Sequence, residues 1–382
     1  MKPNLRLLSC WMAPALMGLA RAEPPVAIDP RNPYLLEYRG ETFVGRTFGE
    51  HYGSVIHTDF DFVRYLDALQ ADGLNLTRVV LLGYRSTEVT SPLSPPAERF
   101  LQPWQRSASG GAALDGLGKW DFSQWNEAYF ARLRDFVQAC RDRRIVVELC
   151  FFNTFYDTDP GSWASSPFHP SNNVQGYGPS SQFDAMRATD ASLTAVQEQA
   201  VRRIVRELNG FGNVYYEIQN EPFWNEPGTG DAAEAAFHNQ FLTIIRNEEA
   251  SLPHRHLVAH NFPNQLAALS NDFDLINGHY PFTVPGAPWV IGGEALLANE
   301  YGRVRPLSLD ESSAYDATSC RLEAWMFILG GGAIYNGLDS GVFDPNASLI
   351  YSLNDPSGNL QPGIAMRGSL KQLGTYLESI NL

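Results

Sequence analysis

The chain has 382 residues, 44% of them hydrophobic, with 28 Lys and Arg against 42 Asp and Glu and a net charge of −14. That is an ordinary globular composition with enough apolar residues for a sizeable core. The acidic balance excludes a general affinity for nucleic acid, whose phosphate backbone calls for a basic face.

Residues 1–22 read as a secretory signal. Lys2 and Arg6 form a basic start, "LLSCWMAPALMGLA" is a short apolar run, and Ala20-Arg21-Ala22 is a small-residue cleavage site. The run is too short to span a bilayer and contains Pro14. Residues 23–382 are therefore expected to be a secreted protein, extracellular or periplasmic, with no membrane association after cleavage. Cys140, Cys150 and Cys320 remain in that segment. An odd count allows one disulfide at most, and no CxxC or Cys/His spacing suggests zinc. No metal or cofactor is expected.

Taken in order, "TFVGRTFG" (42–49) predicts a strand and "DFDFVRYLDALQADG" (59–73) an amphipathic helix closed by Gly73. "LNLTRVVLL" (74–82) is a second strand. A long loop, 83–125, leads to a helix over 126–143 and a third strand, "IVVELCFFN" (145–153). A second long loop, 153–192, precedes a helix over 193–210 and the strand "VYYEIQN" (214–220). Then come a helix over 232–251 and apolar runs at 256–260, 274–280 and 295–302. A helix over 314–331 is followed by a strand at 332–339, and a helix over 368–379 closes the chain.

Eight strand signals, mostly followed by helices, predict an α/β protein with a single (β/α)8 TIM barrel domain. A doubly wound open sheet is the competitor, but the chain lacks a Gly-rich phosphate turn after its first strand. Gly330-Gly331-Gly332 precedes a strand and reads as a helix-to-strand connection.

In such a barrel, chemistry sits at the carboxyl ends of the strands. Those ends offer Arg78, Asn153, Asn220 with Glu221, His260 with Asn261, His279 with Tyr280, Glu300, and Tyr335 with Asn336 and Asp339. Pro222 must stop the fourth strand, because proline cannot donate to a ladder, so Glu221 is left at its tip. Glu221 and Glu300 would face each other across the barrel mouth. Paired carboxylates across a cleft are what glycosidic cleavage requires, one to protonate the leaving oxygen and one to attack the sugar or activate water. Glu294 precedes the seventh run and so falls near its wrong end. Glu148 and Glu217 read as structural acids inside the barrel, each needing a buried partner.

"YYEIQNEP" followed by "LLANEYG" resembles the clan A glycoside hydrolases, the barrel superfamily that includes the cellulase-like family 5. "GLNLTRVV" on the second strand and "GHYPF" on the sixth extend the likeness to about residues 40–340. The resemblance implies that Glu221 is the acid/base and Glu300 the nucleophile of a retaining double displacement. It implies that Asn220 binds the sugar 2-hydroxyl, that Arg78 pairs with Glu300, that Tyr280 orients the nucleophile, and that His279 lines the same wall. The tryptophan that such enzymes often carry at the end of the eighth strand is replaced by "GAIYNGLDSG", where Tyr335 is the candidate sugar platform, with Trp289 or Trp325 from elsewhere in the chain as the alternatives. Trp104 and other loop aromatics (Trp120, Trp125, Phe155, Tyr156, Trp163, Phe168, Tyr177) could stack on pyranose faces, two or three of them at most.

The expectation is thus a monomeric hydrolase of a β-linked glucan or mannan, with an oligo- or polysaccharide as its partner. Two rivals stand beside it. A metal-dependent hydrolase could use His254 and His256, although that pair precedes the fifth strand at the face away from the site. A carbohydrate-binding barrel without catalysis is the other.

Overall fold

The computed structural model describes residues 23–49, 53–87, 94–222, 224, 232–262, 269–279, 292–312, 317–337, 342–344, 349–351 and 360–380. A three-stranded antiparallel meander comes first: β1 (Ala27–Asp29), β2 (Asn32–Tyr38) and β3 (Glu41–Phe43). Then follow β4 (Gly45–Thr47), α1 (Phe62–Ala71), β5 (Leu76–Val80), β6 (Trp104–Ala112), β7 (Gly118–Trp125), α2 (Glu127–Asp142) and β8 (Val146–Asn153). The middle of the chain forms α3 (Pro160–Ser165), α4 (Ala191–Leu208), β9 (Val214–Asn220), α5 (Ala232–Glu249), β10 (Val258–His260) and β11 (Leu275–His279). Last come α6 (Gly292–Glu300), β12 (Leu307–Glu311), α7 (Ala317–Leu329), β13 (Ile334–Asn336), β14 (Val342–Asp344), β15 (Leu349–Tyr351) and α8 (Leu360–Ser379).

Eight parallel strands pair in the order β4-β13-β12-β11-β10-β9-β8-β5. The seam between β4 and β5 is closed by Asn75. Its N–H donates to Arg46 O at 3.1 Å, its Oδ1 accepts from Arg46 N at 2.8 Å, and its Nδ2 donates to Val44 O at 3.0 Å. This is the predicted (β/α)8 barrel. Every residue of β8 and β9 is buried, as expected of strands covered on both faces.

The helices form where the sequence supplies both a cap and an apolar stripe. Asp190 caps α4 by accepting from the backbone N–H groups of Ser192 and Leu193, each at 2.9 Å. Leu193, Val201, Ile204, Val205 and Leu208 then lie on its buried face. Each such side chain contributes roughly 1.5–3 kcal/mol on burial, so this stripe outweighs the helix's intrinsic propensity in holding it to the sheet.

The two long loops are a joined pair. β6 and β7 form a hairpin, and the second loop carries α3. Asp159, the α3 cap, accepts from Ser162 N at 3.2 Å and also from Thr87 N in the first loop at 2.9 Å. Val174 N donates to Trp120 O at 2.8 Å, and Leu114 N to Asn172 Oδ1 at 2.8 Å. Buried Asn173 donates to the carbonyls of Pro167, His169 and Tyr177 and accepts from Tyr177 N. The loops meet so closely at Gly83, which has φ +78°, that a Cβ there would stand 2.4 Å from the Phe168 ring.

One predicted strand is wrong. Residues 295–302 are helical: α6 runs to Glu300 and a 3-10 turn follows at Tyr301–Arg303. Ala, Leu and Glu dominate that run and favour helix, whereas the seventh barrel strand is "LSLDE". Cys140, Cys150 and Cys320 are buried, and none of the three is in a disulfide among the described residues. Among the described residues no helix is long and apolar enough to cross a membrane.

Candidate active site

β9 ends at Asn220 and the chain turns at once. Glu221 has φ 48°, the left-handed region, and stands directly before Pro222. Both facts disfavour a residue bearing a side chain, at roughly 1–3 kcal/mol for such strain. The turn is held in place by its surroundings. Thr154 Oγ1 donates to the carbonyls of Asn220 at 3.1 Å and Glu221 at 2.7 Å, and Trp224 N donates to Glu221 O at 3.1 Å.

The Glu221 carboxyl is buried. Tyr156 OH donates to its Oε2 at 2.7 Å, and His279 Nδ1 stands 3.2 Å from its Oε1. Burial, reinforced by the negative charge of Glu311, raises its pKa, while the His279 and Tyr156 contacts pull the other way without reversing it. Glu221 therefore keeps a proton above the ordinary carboxylate range, as a general acid must.

Across the mouth, Glu311 ends β12 and is also buried. Its Oε2 lies 2.6 Å from the same His279 Nδ1. Carboxyl oxygens of Glu221 and Glu311 and the His279 nitrogen all fall within 4.8 Å of one another. On the other side of the ring, His279 Nε2 stands 3.0 Å from Asp310 Oδ1 and 2.6 Å from Asn261 Nδ2. Burial alone would discharge this histidine, but the carboxylates of Asp310 and Glu311 more than reverse that and hold its pKa well above the usual value.

Beneath the mouth, Arg78 is fully buried on β5. Its Nε and Nη2 donate to Glu217 at 2.8 Å each, and Nη2 also donates to Asn220 Oδ1 at 2.7 Å. Asp310 lies 3.5 Å away and Glu148 4.0 Å. Asn220 in turn donates from Nδ2 to Asn153 Oδ1 at 2.7 Å and to Tyr156 OH at 2.9 Å. Glu148 accepts from Asn277 Nδ2 at 2.6 Å. Burial, and then the charges of Glu217 and Asp310, push its pKa well up, so it sits in the barrel as a neutral acid.

The sequence-predicted residues divide. Asn220, Glu221, His279 and Arg78 come together as expected. Arg78, however, pairs with Glu217 where the sequence led to Glu300. Glu300 is displaced altogether: it ends α6, pairs with Arg303, and precedes the strand at whose far end Glu311 stands. Tyr335 is fully buried and turned away from the mouth, donating to Ser312 Oγ at 2.9 Å and Glu323 Oε2 at 3.1 Å. Trp104 is buried among Phe122, Trp125 and Phe168, where it joins the loops to the barrel. Tyr280 and Trp289 lie outside the described residues.

Sequence reading missed Glu311 and Asp310, and gave Trp224 and Tyr156 no place beside Glu221. The signal for Glu311 was available. "LSLDE" alternates apolar and polar residues, follows Pro306, and ends in a carboxylate between two helical stretches. The 40%-exposed Trp224 stands edge-on to Tyr156, ring centroids 5.4 Å apart, beside the acid.

Two groupings could be read as metal sites among the described residues: Glu221, His279 and Glu311, and Glu217, His279 and Asp310. The 2.6 Å between His279 Nδ1 and Glu311 is a hydrogen-bonding distance. Two ligands of one tetrahedral ion, each at ~2.0–2.1 Å, stand ~3.3 Å apart. The geometry therefore fits an ion-pair network better than a ligand set. His256 is spoken for at both nitrogens, 2.6 Å from Glu249 Oε1 and 2.9 Å from Phe211 O, so the His254–His256 pair is structural. A cavity of about 540 Å³ lies beneath the opposite face, lined by Arg39, Arg46, Asn75, Arg144 and Glu378, far from these carboxyls.

Residues 94–183, the hairpin, α2, β8 and much of the second loop, match a family described as a domain of unknown function, DUF6298. No curated protein sequence matches the chain. A protein of Bacteroides vulgatus assigned by inference as a glycoside hydrolase is similar in structure, with TM-score 0.61 and 14% identity. The alignment covers 94% of this chain and spans only 61% of that one. The endo-1,4-β-mannanase of Rhizomucor miehei gives TM-score 0.59 at 12% identity over 91% of this chain and 99% of that one. The endo-β-1,4-mannanase of Thermotoga petrophila gives 0.58 at 13% over 89% and 78%. Family 5 glycoside hydrolases are among these neighbours, and the chain shares their (β/α)8 barrel fold.

Proposed function

We propose that this chain is a secreted, monomeric, retaining glycoside hydrolase that cleaves β-linked glucan or mannan by double displacement. Glu221 is the acid/base and Glu311 the nucleophile. The observation that carries the reading is their approach: carboxyl oxygens within 4.8 Å, from the ends of the fourth and seventh barrel strands. Retaining enzymes hold their carboxyls about 5–5.5 Å apart, whereas inverting ones need roughly 6.5–9.5 Å to admit a water.

The steps follow from the surroundings of each group. Glu311 attacks the anomeric carbon while Glu221 gives its proton to the departing oxygen. Water then enters, Glu221 takes its proton, and Glu311 leaves as a carboxylate. Trp224 offers the leaving sugar a flat apolar face on the acid's side of the cleft. The mannanase neighbours make mannan the first polymer to try.

The test is reducing-sugar release on β-1,4-mannan, β-1,4-glucan, β-1,3-glucan and xylan by the chain and by Glu221→Gln, Glu311→Gln and Glu300→Gln. We expect loss of 10²-fold or more in the first two and near-normal release in the third. Release that survives Glu311→Gln rejects the nucleophile assignment, and a wild type inert on every sugar favours the binding-protein reading.

A further inference from the structure

We propose that His279, held by Asp310, is the cation that follows the negative charge between Glu311 and Glu221, with Asp310 as the positioning residue that keeps it there. This rests on the hydrolase reading above and deepens it.

One ring nitrogen, Nδ1, faces both carboxyls, 2.6 Å from Glu311 and 3.2 Å from Glu221. In the first step the Glu311 carboxylate forms a bond to the anomeric carbon and becomes a neutral ester. The glycosidic C–O bond breaks, its electron pair goes to the leaving oxygen, and that oxygen takes the Glu221 proton. The unit negative charge has moved from Glu311 to Glu221. The second step returns it. A cation fixed on one carboxyl would favour one step and oppose the other. A cation set between them favours both.

Arg78 cannot serve. Its Nε and Nη2 are engaged by Glu217 and Asn220, and it reaches His279 only through Asp310. The groups facing His279 are Asp310 and Glu311 from β12, Glu217 from β9 and Glu221 just after it, and Asn261 after β10. Of these, Asp310 alone stands on the Nε2 side at ion-pair distance, 3.0 Å. Without that anion, the buried ring would lose its charge.

The experiment compares pH profiles of kcat/KM for wild type, His279→Gln and Asp310→Asn on the best oligosaccharide. His279→Gln removes a positive charge facing both carboxyls, so both limbs should move to higher pH. Asp310→Asn removes the anion that holds the imidazolium proton, so the ring discharges and both limbs should move the same way as in His279→Gln. Each shift should be about one pH unit, the effect of a single close charge. Profiles that only lose height, or that move in opposite directions in the two variants, overturn the proposal. A second measurement needs no substrate: ¹⁵N-histidine NMR of the wild type, with His279 assigned by difference from whichever of His279→Gln and His279→Asn folds. A charged ring at pH 8 is expected, and a neutral ring at pH 7 overturns the proposal. A protein inert on every sugar but with a charged His279 loses the hydrolase reading and keeps the Asp310–His279 pair.

Discussion

Arg78 and Glu217 grip each other through two 2.8 Å hydrogen bonds inside the barrel, with neither side chain exposed. Removing one partner strands the other's charge without water. Glu217→Ala should therefore destabilise the fold by about 3–5 kcal/mol. Urea unfolding followed by tryptophan fluorescence measures this, and a loss under 1 kcal/mol would mean that Asp310 takes over the guanidinium.

Glu221 carries its proton to higher pH than an exposed glutamate, so the alkaline limb of the activity profile should lie above the ordinary value of about 4.3. Below the unfolded-state value the group is protonated in both states and costs nothing. As pH rises through the folded-state value, the folded state is penalised for burying charge. Glu221→Gln should thus melt like wild type at pH 4 and above it at pH 8. Thermal melts at the two pH values decide the matter, and an equal difference at both contradicts the raised pKa.

Trp224 has its ring edge against Tyr156 and stays substantially open to solvent. Trp224→Ala should lower kcat/KM about tenfold on an oligosaccharide, whose leaving group is a sugar, from loss of roughly 1.4 kcal/mol of stacking. On an aryl glycoside with a small phenol leaving group it should change little. Equal losses on both substrates would place the tryptophan's role in supporting Tyr156.

Asn173 joins three carbonyls and one N–H of the second loop, beside the β6–β7 hairpin. Asn173→Ala should cost about 2–3 kcal/mol, since buried carbonyls lose their donor. It should also open the loops to limited proteolysis before the barrel. Cleavage that appears first in the barrel helices would show that the loops are held elsewhere.

The barrel was legible because its strands are continuous apolar runs separated by amphipathic helices, and Glu221 because proline marks the end of its strand. The seventh strand was not. Its five residues contain two leucines, Leu307 and Leu309, and the longer run before it, "ALLANEYG", is more apolar and drew the assignment. A strand lined inwardly by Ser308 and Asp310 carries little hydrophobic signal, because its inner face packs on charge. Trp104 and Tyr335 show the complementary difficulty. Aromatic type says that a side chain buries area, but the direction in which it points is set by contacts distant in sequence. Arg78's partner was hidden for the same reason, since Glu217 lies on another strand and only the closed barrel brings the two together.

The left-handed backbone at residue 221 suits other side chains better than the one it carries. Glycine, or asparagine, would rest there with less strain than glutamate does. Laboratory selection of random variants for heat resistance alone should accept such replacements at residue 221, and every one would discard the acid. Selection for sugar release should hold glutamate there and let compensating changes gather around Thr154 and Pro222, the groups that force the backbone into that shape.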